Sequence, residues 1–473
     1  MTGFMHTRLA FVLLTAVFWA TPPPRAVGAA SSAGALPHGA PSWPGGPAMT
    51  QARPDTTIRN AGTPRHAGQA TLVPELTIGV IEGAAEYTFA SIQNVVPLRD
   101  GSVLIADAAG AAGPVVRQYD AAGRYVRTIG RSGEGPGEFR GLGGMAQLPD
   151  GRIVLVDAGG RRINVYSESG ASVDTWVFPN YTLPAGGTDG LIVAATGTLH
   201  LLAILRRSPR GNPGERILVR LRSDGTVIDT LFAPDLPDVL LSVSKTVTSS
   251  AGTGRFATNI PYTPQSMWVL SPLGWMITGV SRTYAFELRR PPPGRASAHA
   301  APPLWQEGDV VVSVRRDVRP LPVSREERAD QRDHIDALLA ARQGNLDGPV
   351  PPIPDLKPAY RRLLAGEDGR IWVALSTPSE KYTPPPAGSS SNPGFASGAG
   401  AAPGGGPGSP RIAPAPWREP ALYDVFEPDG VWIGQVSVPW DTRIIRMRGD
   451  TVWGVVRDAD DVPVVRRLRI AWR

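Results

Sequence analysis

The residues best placed for chemistry are two aspartates in similar surroundings. Asp107 and Asp157 each stand six residues after the glycine of an Asp-Gly turn, Gly101 and Gly151. Carboxylates recurring at one position of a repeat could hold calcium through oxygen ligands. An aspartate closing a strand can instead accept backbone N–H bonds from the next turn. The second role is the expected one, because no convergent set of acidic and amide ligands can be defended from the sequence. Nucleophile and metal signatures are missing: there is no G-x-S-x-G elbow, no H-E-x-x-H pair and no P-loop. The glycine-rich run at residues 133–137 lacks a following Lys-Ser/Thr and precedes a strand, so it reads as a connection. His6 belongs to an apolar leader, and His38 and His66 to a Pro/Gly-rich stretch. His200, His299 and His334 share no spacing, which argues against a multi-histidine metal centre. No catalytic residue, metal or cofactor is expected.

The elements that would position any site are short strands. In residues 117–170, apolar runs alternate with Pro149-Asp150-Gly151 and Ser167–Gly170 turns, the pattern of an antiparallel meander. Ile153, Val154, Leu155 and Val156 are apolar in succession, so both faces of that sheet should be covered. The same order occurs at residues 92–129, giving a repeat of about 50 residues. Stretched versions follow at 191–232, 266–314, 360–438 and 443–470.

The ends and the composition set the context. Arg8 precedes an apolar run at residues 9–20, too short to span a bilayer and followed by small residues, as in a secretory signal peptide. The expected organisation is a signal at 1–29, a flexible Pro/Gly/Ala/Ser-rich lead-in at 30–70 and one β domain at 71–473. The chain holds no cysteine, which removes disulfides and thiolate metal sites. Its net charge of +6 is carried by arginines scattered over strand ends, without basic blocks or interleaved aromatics. Nucleic-acid binding is therefore not expected. Nothing after the leader is apolar for long enough to cross a membrane.

Small sheets covered on both faces suit propeller blades. The element order, with its lead-in Gly135-Pro136-Gly137-Glu138-Phe139, resembles an NHL-type propeller repeat. The whole pattern resembles bacterial secreted propellers of the NHL-repeat and TolB-like kind. That resemblance implies an all-β, six-bladed β-propeller of four-stranded antiparallel blades. The last blade is one strand short, and residues 76–80 have no blade of their own, so an N-terminal strand should close the ring and avoid exposed edges.

Two insertions stand apart. Ser324 and Glu327 form a capping box, and Ile335, Leu338 and Leu339 give a narrow helical stripe, predicting a surface helix at 324–343. Residues 384–416 are almost wholly Pro, Gly, Ser and Ala, the composition of a disordered loop.

In propellers of this kind, the loops leading into the inner strands surround one mouth of the channel. Here those loops carry Glu86, Tyr87, Gln93, Arg140, Asp189, Tyr262, Gln265, Lys357, Tyr360, Asp441 and Arg443. Gln93, Arg140, Lys357, Tyr360, Asp441 and Arg443 form the candidate ligand site, suited to a polar or anionic ligand or a partner peptide. The expected function is an exported, non-catalytic binding or protein-interaction module, periplasmic or extracellular. The alternatives are a lactonase-like hydrolase or lyase and a purely structural envelope protein.

Overall fold

Apolar runs of five or six residues punctuated by turn glycines fold into four-stranded antiparallel sheets. The computed structural model describes residues 56–473 except 109–112, 185–189, 207–215, 233, 235, 250–251, 291–309, 384–411, 413 and 458–461. The expected signal, residue Asp189 and nearly all of the 384–416 loop therefore lie outside the described residues.

The first sheet comprises Ile92–Pro97, Val103–Asp107, Val115–Tyr119 and Tyr125–Thr128 in that spatial order. The second is Leu142–Gln147, Ile153–Asp157, Arg162–Tyr166 and Ser172–Val177. The third is Leu191–Val193, Leu199–Leu205, Arg216–Leu221 and Val227–Phe232, with Tyr181–Thr182 also paired to its second strand. The fourth is Ser266–Leu270, Met276–Val280, Ala285–Arg289 and Val310–Arg315.

An eight-stranded sheet follows. One half is Tyr360–Ala365, Ile371–Leu375, Ala421–Phe426 and Trp432–Val438. The other is Thr442–Arg448, Thr451–Arg457, Pro463–Ala471 and the N-terminal strand Gln69–Ile78. Gln69–Ile78 runs antiparallel to Pro463–Ala471, so the chain's two ends share a ladder. This strand is longer than residues 76–80 and begins earlier. Its start, Gln69–Thr71, also pairs in parallel with Gln435–Ser437, which joins the two halves.

Each sheet buries both faces against neighbours. Leu104 and Val116 of the first sheet meet Met145 and Leu155 of the second. Val154 and Val165 meet Leu199 and Val219 of the third, and Leu218 and Leu231 meet Leu270 and Met276 of the fourth. Phe286 and Val314 then meet Tyr360 and Phe426, and Trp372 and Val425 meet Val452 and Leu468. Trp453 and Val465 pack back on Val95 and Ile105 of the first sheet. The fold is thus nearly all β and propeller-like. Strands such as Val103–Asp107 are buried at every position because both faces are covered. Each fully buried Leu, Ile or Val contributes about 1.5–3 kcal/mol.

The lead-in is not wholly flexible. Thr56–Arg59 is a strand lying parallel on Val310–Arg315, and His66 stacks on Trp472 with ring centroids 4.6 Å apart. The predicted helix is present at Arg325–Ala340, and Ser324 Oγ accepts the Glu327 N–H at 3.1 Å. Its Ile335 and Leu339 are buried with Val243, Ile260 and Ile353. The hairpin that receives them, Ser242–Ser249 with Gly252–Asn259, was missing from the sequence reading. Its alternating Val243, Lys245 and Val247 and its turn glycine were the available signal.

Candidate functional site

The recurring aspartates organise the loops that lead into the inner strands. Asp107 accepts the Ser91 N–H at 2.8 Å and the Ala90 N–H at 3.1 Å. Asp157 is fully buried and accepts N–H bonds from Arg140, Gly141 and Gly160 at 3.0–3.1 Å. Its other oxygen takes Arg162 Nε at 3.0 Å. Both carboxylates are therefore occupied in backbone capping, mainly of the loop before the inner strand. Among the described residues, no three His, Asp or Glu side chains gather as a metal-ligand group.

The candidate residues divide into separate environments. Gln93 is half-buried and donates from Nε2 to Ser91 Oγ at 2.9 Å. Arg140 is exposed, paired with Glu134 at 2.9 Å and donating to Gly159 O. Tyr360 is fully buried, and its hydroxyl donates to Ala285 O at 3.1 Å. Tyr360 thus belongs to the seam between the fourth sheet and the next. Burial raises its hydroxyl pKa well above the usual tyrosine range.

Lys357 is also enclosed, with 1% of its side chain exposed. Its Nζ lies 3.1 Å from Glu327 Oε1 and 3.4 Å from Glu419 Oε1, and donates to Thr377 O and Ser379 Oγ. Glu327 comes from the inserted helix and also accepts the Tyr262 hydroxyl at 2.5 Å. Burial opposes the charge on Glu327. The hydrogen bonds from Ser379 and Tyr262 and the Lys357 ammonium outweigh it and hold the carboxyl below the usual glutamate range. Tyr262 adopts a left-handed backbone, φ 60°, uncommon for a bulky residue. This cluster pins the helix. Trp417 Nε1 adds a 2.9 Å bond to Asp330, and Lys245 Nζ donates to Leu339 O in the helix's last turn and to Arg342 O just past its end.

Arg443 and Asp441 lead to a different cluster. Arg443 Nη2 donates across to Ile92 O of the first sheet at 2.5 Å. Burial, with Arg362 and Arg457 nearby, lowers its guanidinium pKa to about 10. Further along the same inner strand, Arg446 reaches Asn94 Oδ1 at 3.3 Å, Val95 O at 3.4 Å and Met145 O at 3.1 Å. One guanidinium therefore ties the inner strands of three sheets together. Glu367 Oε1 lies 4.0 Å from it, and burial pushes that carboxyl up despite Arg446 and Arg448. Asp441 accepts from Thr442 Oγ1 at 3.2 Å. The neighbouring Trp440 is 57% exposed, with the Arg418 guanidinium 5.2 Å from its ring. Arg362, Arg446 and Arg457 were not identified from the sequence. The arginines at 443, 446 and 448 in a strand otherwise built like its apolar counterparts were the readable sign.

No known protein family matches the chain, and no curated protein matches it. Solved structures overlap it loosely. A Bacteroides fragilis protein provisionally described as exported is 10% identical, covering 88% of this chain and 99% of its own, with a TM-score of 0.41. A member of the DUF4221 family from Bacteroides vulgatus is 11% identical over 86% and 99%, with a TM-score of 0.43. The virginiamycin B lyase of Staphylococcus aureus is 9% identical over 80% and 95%, with a TM-score of 0.35. The reading of this chain rests on its own sheets and side chains. Among the described residues, no helix is long and apolar enough to cross a membrane.

Proposed function

We propose that the chain is an exported six-bladed propeller of the NHL-repeat or TolB-like kind, binding an anionic ligand or an acidic partner segment at its channel mouth. The ladder between Gln69–Ile78 and Pro463–Ala471 supports a ring closed by the N-terminal strand. The observation that carries the binding reading is the nearness of Arg362 and Arg457 to Arg443, on the inner strand that also carries Arg446. Arg443, Arg446 and Arg457 are half-buried and Arg362 is exposed. Like charges held close together repel, and an anion offsets that repulsion through charge-assisted hydrogen bonds. Gln93 and Asp441 flank this cluster in the proposal, and Arg140 stands on the rim. Lys357 and Tyr360 support the wall from behind. The leader at 1–29 and an N-terminus of the mature chain between residues 30 and 36 belong to the same reading.

A rival hydrolase or lyase reading draws on Glu367, a carboxyl pushed up beside a guanidinium and so suited to hold a proton. The test is calorimetric titration of the intact protein with citrate, inorganic phosphate and an oligo-aspartate. Arg443→Gln should weaken binding by roughly ten- to a hundredfold, the loss of one charge-assisted bond of about 1.5–3 kcal/mol. Equal binding by the variant and wild type, or no binding of any anion, would overturn the proposal.

A further inference from the structure

The inserted helix sorts its charges between its sides. Glu326 and Asp330 turn to the paired strands Glu380–Lys381 and Trp417–Arg418, where Lys381 Nζ donates to Glu326 and Trp417 Nε1 to Asp330. Glu327 points inward to Lys357. Arg325, Arg328 and Arg332, at i, i+3 and i+7, share another side. In the second half of the helix the same stripe is apolar and packed, as Ile335 and Leu339. Arg325 and Arg328 stand at the start of the helix, where its dipole disfavours cations. Their placement therefore costs the fold something and invites a ligand that repays it.

These arginines form one wall of a groove of about 540 Å³, whose other wall carries Pro352, Pro354 and Asp355. The second wall is held in place by the protein itself. Ile353 is buried with Ile335 and Leu339, and the Val323 and Lys357 N–H groups donate to Asp355 O and Leu321 O at 2.8 Å. Leu356, next along that wall, is 52% exposed. The charges along the groove alternate. Arg328 is paired with Asp355 at 2.5 Å. Arg332 donates to Pro351 O at 2.9 Å, and neither it nor Arg325 meets a carboxylate among the described residues. Along the helix axis Arg325 and Arg332 are about 10 Å apart, with the neutralised Arg328 between them.

We propose that this groove docks an extended acidic segment of a partner protein, with two carboxylates three residues apart and small or apolar residues between them. In a polyproline-type chain every third side chain returns to one face, about 9 Å further on, which matches the spacing of Arg325 and Arg332. Each carboxylate then gains a charge-assisted, fork-like contact with a guanidinium. The residues between them rest on Pro354 and Leu356. Asp355 stands where a uniformly charged polymer would place a further negative charge, so it selects against nucleic acid. The docking uses none of the inner-strand arginines.

The test is fluorescence anisotropy of two labelled peptides with the intact protein at low salt. Both carry two glutamates in an Ala/Pro background, three residues apart in one and adjacent in the other. The first peptide should bind at least tenfold more tightly. Arg325→Gln combined with Arg332→Gln should abolish the difference, and Arg443→Gln should leave it unchanged. Asp355→Asn should raise the affinity for oligothymidylate, a gain that a misfolded variant would not show. The proposal is overturned by no binding of either peptide, by equal binding of both, or by a difference that survives the double variant or disappears in Arg443→Gln. It is equally overturned if oligothymidylate binds the wild type as tightly as the first peptide, or gains nothing from Asp355→Asn.

Discussion

Replacing Lys357 with alanine would leave Glu327 and Glu419 buried together without their shared cation. Stripping one partner from a buried ion pair costs about 3–5 kcal/mol. The molecule has a cheaper response than unfolding. Docking of the helix rests mainly on Ile335 and Leu339, which at about 1.5–3 kcal/mol each contribute about 3–6 kcal/mol in all. Because the two figures are close, Arg325–Ala340 should detach and rehydrate Glu327 while the sheets stay folded. Amide exchange across the helix should then accelerate by roughly a hundred- to a thousandfold. Exchange in strands such as Val103–Asp107 should stay unchanged. Adding Glu327→Gln should recover part of the protection, since it removes the charge left without a cation, whereas Glu419 keeps Arg361 at 3.3 Å.

The same site fixes a pH dependence. The folded pKa of Glu327 lies below its ordinary 4.5, so its contribution to docking is complete above that value. It is lost as pH falls through the folded value, and helix protection in the wild type, corrected for intrinsic exchange, should drop at acid pH. Helix exchange that is identical in wild type and Lys357→Ala would refute the reasoning, because the ion cluster would then carry no docking energy.

Two further outcomes are expected. Asp157→Ala should destabilise the protein by about 3–5 kcal/mol in urea unfolding, because three backbone N–H groups and Arg162 lose a buried acceptor; a cost below about 1 kcal/mol would mean that water replaces the carboxylate. Deleting residues 69–78 should lower the melting temperature strongly, whereas bridging residues 384–411 with a short linker should change it little, because closure entropy varies weakly with loop length. Equal melting temperatures for the strand deletion and the wild type would show that the shared ladder is dispensable.

The sequence alone determined the local units. Asp-Gly turns, successive apolar residues and the Ser324/Glu327 capping box each act over a few neighbours. That is why the first two sheets, the helix and the backbone-capping role of Asp107 and Asp157 were legible, although of the expected next-turn donors only Gly160 is seen among the described residues and the others come from the loop before the inner strand. It also indicated that an N-terminal strand would join the C-terminal blade, because a strand missing at one end matched a strand spare at the other.

Tertiary structure decided everything that depends on which way a side chain faces. Lys357 and Tyr360 occupy the expected loop and strand, yet Lys357 turns to Glu327 and Glu419, and Tyr360, at a bulge, faces a seam between sheets. The bulge between Ile444 and Arg446 illustrates the point: it lets Arg446 reach across to Met145, 301 residues away in the chain. The N-terminal segment shows the same limit. Thr56, Thr57 and Ile58 are β-branched and suit a strand, but their partner is an outer edge formed by residues 310–315, and only the arrangement of sheets brings that edge to them.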